Sequence, residues 1–286
     1  MGYVDSHTHI WFKEVLDKDS LEVIVNVLGN NWLNWVSSPE EIIKVMDLAE
    51  INYVVIIAYP SRRLWKTKED FPVKLARFLS RYRDRFSVVG GIEPQVLNEG
   101  EAKYWLERQF EAGVSGFKLH PPHMWIKPNA YREEEGGNKT LELLYSFSEE
   151  NDLPVVFHTG TSNFPTSRNK YGDPIFIDDV SLDFPKLSIV MAHAGRPNWV
   201  STAFQLARIR ENVFLDLSSI PPKKVLEYIP RLSVISSKCV YGSDFPDREV
   251  KGLRENLQEF LKIQIPRGEL EKIVSLNARS IFKTIG

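Results

Sequence analysis

The chain has 286 residues, of which 43% are apolar and 26% charged, and a formal net charge of −2; that is enough apolar mass for one large α/β domain or two ordinary ones. The charge balance removes the electrostatic case for a nucleic-acid or anionic-membrane partner, because such partners are held by an excess of Lys and Arg. A lone cysteine, Cys239 in an apolar run, excludes an intramolecular disulfide; with no charged-then-apolar leader and no bilayer-length apolar run, the expected setting is cytoplasmic.

Val4-Asp5-Ser6-His7-Thr8-His9 reads as a first strand that puts His7 and His9 on one face, about 6.6 Å apart along it. A Trp-rich stretch with Trp11, Trp32 and Trp35 follows, expected as a βα-loop insertion at about 11–37. Ser38-Pro39-Glu40-Glu41 opens a helix to about Glu50, with an N-cap serine, a proline in the first turn and acidic residues at the positive dipole end. Tyr53 to Ala58 is a continuous apolar run, the pattern of a parallel strand buried on both faces.

The alternation then repeats. Helical patterns at Val73 to Tyr82, Ala102 to Ala112 and Lys139 to Asn151 precede apolar runs ending at Ile92, His120 and His158. Shorter ones at Phe176 to Asp183, Pro197 to Arg210 and Pro221 to Ile229 precede runs ending at His193, Leu217 and Asp244, and helices from about Leu253 to Lys262 and Arg267 to Phe282 follow. Eight apolar strands separated by helices imply parallel pairing through crossovers. The expected fold is α/β, a single (β/α)8 TIM barrel over residues 1–286. An open doubly wound sheet is the alternative, but no Gly-x-Gly-x-x-Gly follows the first strand.

Barrels of this type carry their chemistry at the C-terminal ends of the strands. There the sequence places His7 and His9, Lys118 and His120, His158, His193 and Asp244, and the sixth histidine, His123, lies three residues beyond His120. Chance would scatter histidines over helices and loops, so this concentration points to a metal site. Neutral imidazoles with one carboxylate suit Zn²⁺ best, with Mn²⁺, Fe²⁺ and Co²⁺ open.

His7-Thr8-His9, His158-Thr159-Gly160, His193-Ala194-Gly195 and Gly242-Ser243-Asp244-Phe245-Pro246 together resemble the amidohydrolase superfamily. More narrowly the chain resembles the amidohydrolase-related branch that includes aminocarboxymuconate semialdehyde decarboxylase and resorcylate decarboxylases; Phe184-Pro185-Lys186-Leu187, Asn277-Ala278 and Ile281-Phe282 match that branch as well. The resemblance implies His7, His9, His158 and Asp244 as ligands of one divalent ion that turns a bound water into hydroxide near neutral pH. It implies Asp244 as acceptor and later donor of the water proton, and His193 beside the substrate as carbonyl polariser or acid/base. Lys118 stands where two-metal relatives carry a carboxylated bridging lysine, with the strand-six histidine, here His193, on the second ion. The better overall motif match favours one ion, with Lys118 a substrate contact or ion pair.

Trp32, Arg62, Lys118, His120 and Arg196 are the expected substrate contacts; Trp11, Trp35, Arg63, Trp65, Trp125 and Arg248 lie on the same loops. Tryptophans with arginines suit a small, flat acid or carbonyl compound. The expected function is a metal-dependent hydrolase of C–N or C–O bonds acting on a small molecule. A non-oxidative decarboxylase is the alternative, a non-catalytic metal-binding barrel is a third reading, and a homodimer is left open.

Overall fold

The computed structural model describes residues 2–28, 38–247 and 250–282. Strands β1 (Tyr3–Thr8), β2 (Ile51–Ile57) and β3 (Phe86–Val89) pair in chain order. So do β4 (Phe117–Leu119), β5 (Val155–His158), β6 (Ile189–Ala192), β7 (Val213–Asp216) and β8 (Cys239–Val240), and every ladder is parallel. Two seams join these sets. Gly90 N–H donates to Gly116 O at 2.9 Å and Lys118 N–H to Gly90 O at 2.8 Å, linking β3 to β4. Ser6 N–H donates to Tyr241 O at 3.0 Å and Asp244 N–H to His7 O at 2.9 Å, linking β8 back to β1. The eight strands therefore close into a (β/α)8 barrel whose strand order is the chain order.

The crossovers carry α1 (Lys18–Leu28) and α2 (Pro39–Leu48), α3 (Asp70–Phe78), α4 (Glu99–Ala112), α5 (Pro121–Met124) and α6 (Lys139–Glu150). Then come α7 (Ile177–Asp183), α8 (Val200–Ile209) and α9 (Val225–Tyr228), with α10 (Leu253–Phe260), α11 (Arg267–Glu271) and α12 (Asn277–Ile281) after β8. Sequence and structure differ mainly at helix ends. Helix α4 begins three residues before the apolar pattern, because Asn98 and Glu101 cap each other's backbone N–H groups at 3.0 and 2.9 Å. Ser38 precedes α2 at the N-cap position but forms no side-chain cap bond, leaving Pro39 and the acidic first turn to start the helix. Of the stretch at 11–37, expected as an insertion, residues 11–28 hold a 3₁₀ turn at Lys13–Val15 and α1, which buries Ile24, and 29–37 lie outside the described residues.

Burial explains why the strands read as unbroken apolar runs: in β2 only Asn52 is exposed, since one face fills the barrel and the other meets the helices. Phe117, Phe157, Tyr145 and Tyr241 are fully buried. Cys239 is buried too, and burial pushes its thiol up, out of the range of a reactive thiolate. Among the described residues no helix is long and apolar enough to cross a membrane.

Candidate metal centre

His7, inside β1, and His9, one residue past it, turn their Nε2 atoms to within 3.3 Å of each other. Their other ring nitrogens decide what those atoms carry. His7 Nδ1 meets the Asp216 carboxylate at the end of β7, and His9 Nδ1 donates to the Ile57 carbonyl at 3.0 Å, at the end of β2. Both acceptors take a proton from Nδ1, so in the neutral ring the lone pair sits on Nε2. Asp244 Oδ1 completes a triangle, 3.5 Å from His7 Nε2 and 3.4 Å from His9 Nε2, and is buried with no hydrogen-bond partner.

Three potential donor atoms thus face one another across a gap that a divalent cation would fill. Donors about 2.0–2.1 Å from a tetrahedral Zn²⁺ stand roughly 3.3–3.4 Å apart, and the triangle has sides of 3.3, 3.4 and 3.5 Å. The side chains present fit a divalent metal.

His193 follows β6. Its Nδ1 lies 3.2 Å from Ser218 O, 3.0 Å from Ser218 Oγ and 3.9 Å from Asp244 Oδ2. A carbonyl only accepts, so His193 carries its proton on Nδ1 and keeps a lone pair on Nε2. His7, His193 and Asp244 each offer a donor atom within 4.8 Å of the others. His158 closes β5; its Nε2 is buried without a partner and its ring centroid is 4.7 Å from that of His193. Burial lowers the pKa of His7, His120, His158 and His193, which keeps the rings neutral, as metal ligation requires. His193, Ala194 and Asp244 adopt left-handed backbone, with φ of 65°, 46° and 64°. Non-glycine residues there store of order 1–3 kcal/mol each, strain that clusters at functional sites.

Lys118, on β4, is 1% exposed, its Nζ has no hydrogen-bond partner, and burial pushes its amine down to about 8 against the pull of Asp216 and Asp244. His120 follows the same strand and stacks on His123 at 3.4 Å and on His158 at 3.9 Å. Tyr59 OH and Ser162 Oγ hold the two nitrogens of His123 at 3.2 and 2.9 Å. The rings form a closed circuit around the donors: His7, His9, Trp11, Trp65, Phe164, His123, His120, His158 and His193, each neighbouring the next with centroids 3.4–6.4 Å apart.

The expected substrate contacts fare unevenly. The Arg62 guanidinium grips Glu69 at 2.7 and 2.5 Å and Glu93 at 2.6 Å. Glu69 and Glu93 are 1% and 6% exposed and need a cation of their own. Arg196 donates from Nη2 to Ser219 Oγ and has a buried, unpartnered Nε. Trp32, with Trp35 and Arg248, lies outside the described residues. Asp216 and Ser218, which orient His7 and His193, went unnoticed in the sequence, although Asp216 ends an apolar run just as Asp244 does.

A closed parallel barrel with imidazole and carboxylate donors converging on its C-terminal rim defines a metal-dependent enzyme fold. The chain belongs to the amidohydrolase family, whose model matches residues 4–284. No curated protein matches it significantly. Among solved structures it is similar to an uncharacterized TIM-barrel protein of Bordetella bronchiseptica, at 22% identity over 100% of both chains with a TM-score of 0.78. It is also similar to a probable 2-pyrone-4,6-dicarboxylic acid hydrolase of Acinetobacter baumannii, at 13% identity over 99% of this chain and 100% of that one, TM-score 0.65. A dihydroxybenzoic acid decarboxylase of Polaromonas, solved with manganese and 2-nitroresorcinol, shares 14% identity over 99% of this chain and 97% of its own, TM-score 0.65. Identities this low show a common fold; hydrolases and decarboxylases both occur on it.

Proposed function

We propose that the protein is a metal-dependent hydrolase that cleaves a C–N or C–O bond beside a carbonyl in a small substrate, with His7, His9, His158 and Asp244 holding one divalent ion, Zn²⁺ before Mn²⁺, Fe²⁺ or Co²⁺. The observation that carries it is the triangle of His7 Nε2, His9 Nε2 and Asp244 Oδ1, with sides of 3.3–3.5 Å, together with the buried, unpartnered His158 Nε2 at the end of β5. When bound, the ion would supply a Lewis acid and acidify water to a pKa of about 7.

The chain's own groups do the rest. As a carboxylate with Oδ1 in the triangle and Oδ2 toward His193, Asp244 accepts the proton of the attacking water and returns it to the leaving group. His193, fixed through Nδ1–H on Ser218, presents its Nε2 lone pair as a proton acceptor. Polarising a carbonyl would require a proton on Nε2 as well, which burial opposes. Lys118 binds a substrate oxygen in this reading, which its buried, unpaired Nζ supports.

The test is a panel of lactones, amides, esters and hydroxylated aromatic acids offered to the metal-loaded protein. Hydrolysis without carbon dioxide is expected; carbon dioxide release without water consumption would replace this reading with the decarboxylase, which uses the same donors. His158→Ala and Asp244→Asn should each abolish turnover, with bound metal falling sharply in the first; near-wild-type turnover in either refutes the assignment. Anomalous scattering should show one ion, and two ions about 3.5–4 Å apart, bridged at Lys118, would overturn that count.

A further inference from the structure

We propose that Arg63 and Arg168, stacked on the two faces of Trp125, form a receptor for substrate carboxylates at the catalytic rim. This deepens the proposed hydrolase by naming its substrate class, a small dianionic acid, and rests on that reading only for the link to turnover.

The three residues come from three different βα loops, after β2, β4 and β5. The guanidinium carbons of Arg63 and Arg168 lie 3.7 and 3.9 Å from the Trp125 ring centroid. Two guanidinium groups that close to one centroid would overlap on a shared face, so the indole lies between them. The platform is rigid: Trp125 N–H donates to Pro121 O at 2.8 Å and its Nε1–H to Thr166 O at 2.8 Å. Trp125 also sits at φ 58°, left-handed backbone that is a genuine outlier for a bulky residue. Strain of this kind persists where surrounding bonds over-determine it, commonly at ligand clamps.

Charge supplies the second argument. Among the described residues neither guanidinium has a carboxylate partner, and both side chains are exposed. The neighbouring Arg62 is fully engaged by Glu69 and Glu93, so the same loop neutralises one arginine and leaves the next free. Stacking covers the face of a guanidinium and leaves its N–H edge open, the edge that binds a carboxylate bidentately. Two like charges held across one ring, without an anion, are completed by a ligand with two negative groups. The receptor also stands on the loops that build the ring circuit: Trp65 contacts Phe164 at 5.3 Å, and Phe164 contacts His123 at 5.5 Å.

Calorimetric titration of the metal-loaded and the chelator-stripped protein with isophthalate, benzoate and benzamide tests this. Isophthalate should bind tightest and benzamide weakest, the order should survive metal removal, and isophthalate binding should weaken with salt. Arg63→Gln and Arg168→Gln should each weaken isophthalate about tenfold, the loss of a charge-assisted bidentate contact, and leave benzamide unchanged. Arg63→Lys, which keeps charge and fold, should recover only part of that loss. Isophthalate binding that disappears with the metal would overturn the receptor. So would unchanged affinity in both Gln variants, and a fall in their thermal stability alone would mark the sandwich as a latch between loops. A protein that binds isophthalate as described but hydrolyses nothing upholds the receptor and refutes the hydrolase.

Discussion

At the scale of single residues, the site depends on where protons are pinned. His7 can offer a lone pair from Nε2 because Asp216 takes the proton of Nδ1, and His7 in turn holds the Asp216 carboxyl below its usual range against the cost of burial. Carboxylates that orient a ligand imidazole also raise its basicity, and their loss costs about 10–100-fold in metal affinity. Asp216→Asn should therefore weaken metal binding by about that factor, read by competition with a chromogenic chelator, while the barrel stays folded. Unchanged affinity would mean that Asp216 does not set the His7 ring.

At the scale of elements, the strand exits must be held together for donors from different strands to meet. The exits of β5 and β6 are stitched by Thr159, whose hydroxyl donates to Ala192 O at 2.7 Å and accepts from Gly195 N–H at 2.9 Å. Gly160 continues the stitch at φ 89°, and a Cβ there would drive into the Arg196 carbonyl. Gly160→Ala should thus destabilise the protein by more than about 2 kcal/mol, combining left-handed strain with displaced backbone, and should reduce bound metal. Asn98→Ala, which removes the α4 cap far from the rim, should cost about 1 kcal/mol and leave metal content unchanged. Chemical denaturation with metal analysis of the folded fraction separates the two, and equal effects on metal would refute the stitching role.

At the scale of the whole molecule, the buried imidazoles set the acid limit. His7, His120, His123, His158 and His193 all titrate below their ordinary value in the folded protein, His123 at about 3, because burial disfavours the charged ring. Once unfolded they take up protons near pH 6.5, so the unfolded state binds more protons below that pH and folding stability falls with it. Asp5 works the other way: burial raises its carboxyl to about 7, so its contribution improves as the pH falls from about 7 toward 4. Five groups outweigh one. Thermal unfolding of the metal-free protein should show a midpoint that drops steeply below pH 6.5 and more gently in His123→Gln; a flat profile between pH 4 and 7 would contradict this.

The period of the chain was legible in the sequence by itself: eight apolar runs alternating with helices, and His7, His9, His158, His193 and Asp244 at or just past their C-terminal ends. Strand position is a local property, set by side-chain alternation and by where each apolar run stops. What those residues face was decided only by the tertiary structure. Barrel closure brings β8 beside β1, and so Asp244 beside His7, while Asp216 fixes a histidine 209 positions away. Arg62 and Arg63 are adjacent and chemically identical in the sequence, yet one is bound by two buried carboxylates and the other lies free on an indole. Partners of this kind come from distant strands and loops, and no local pattern along the chain records which of them will meet.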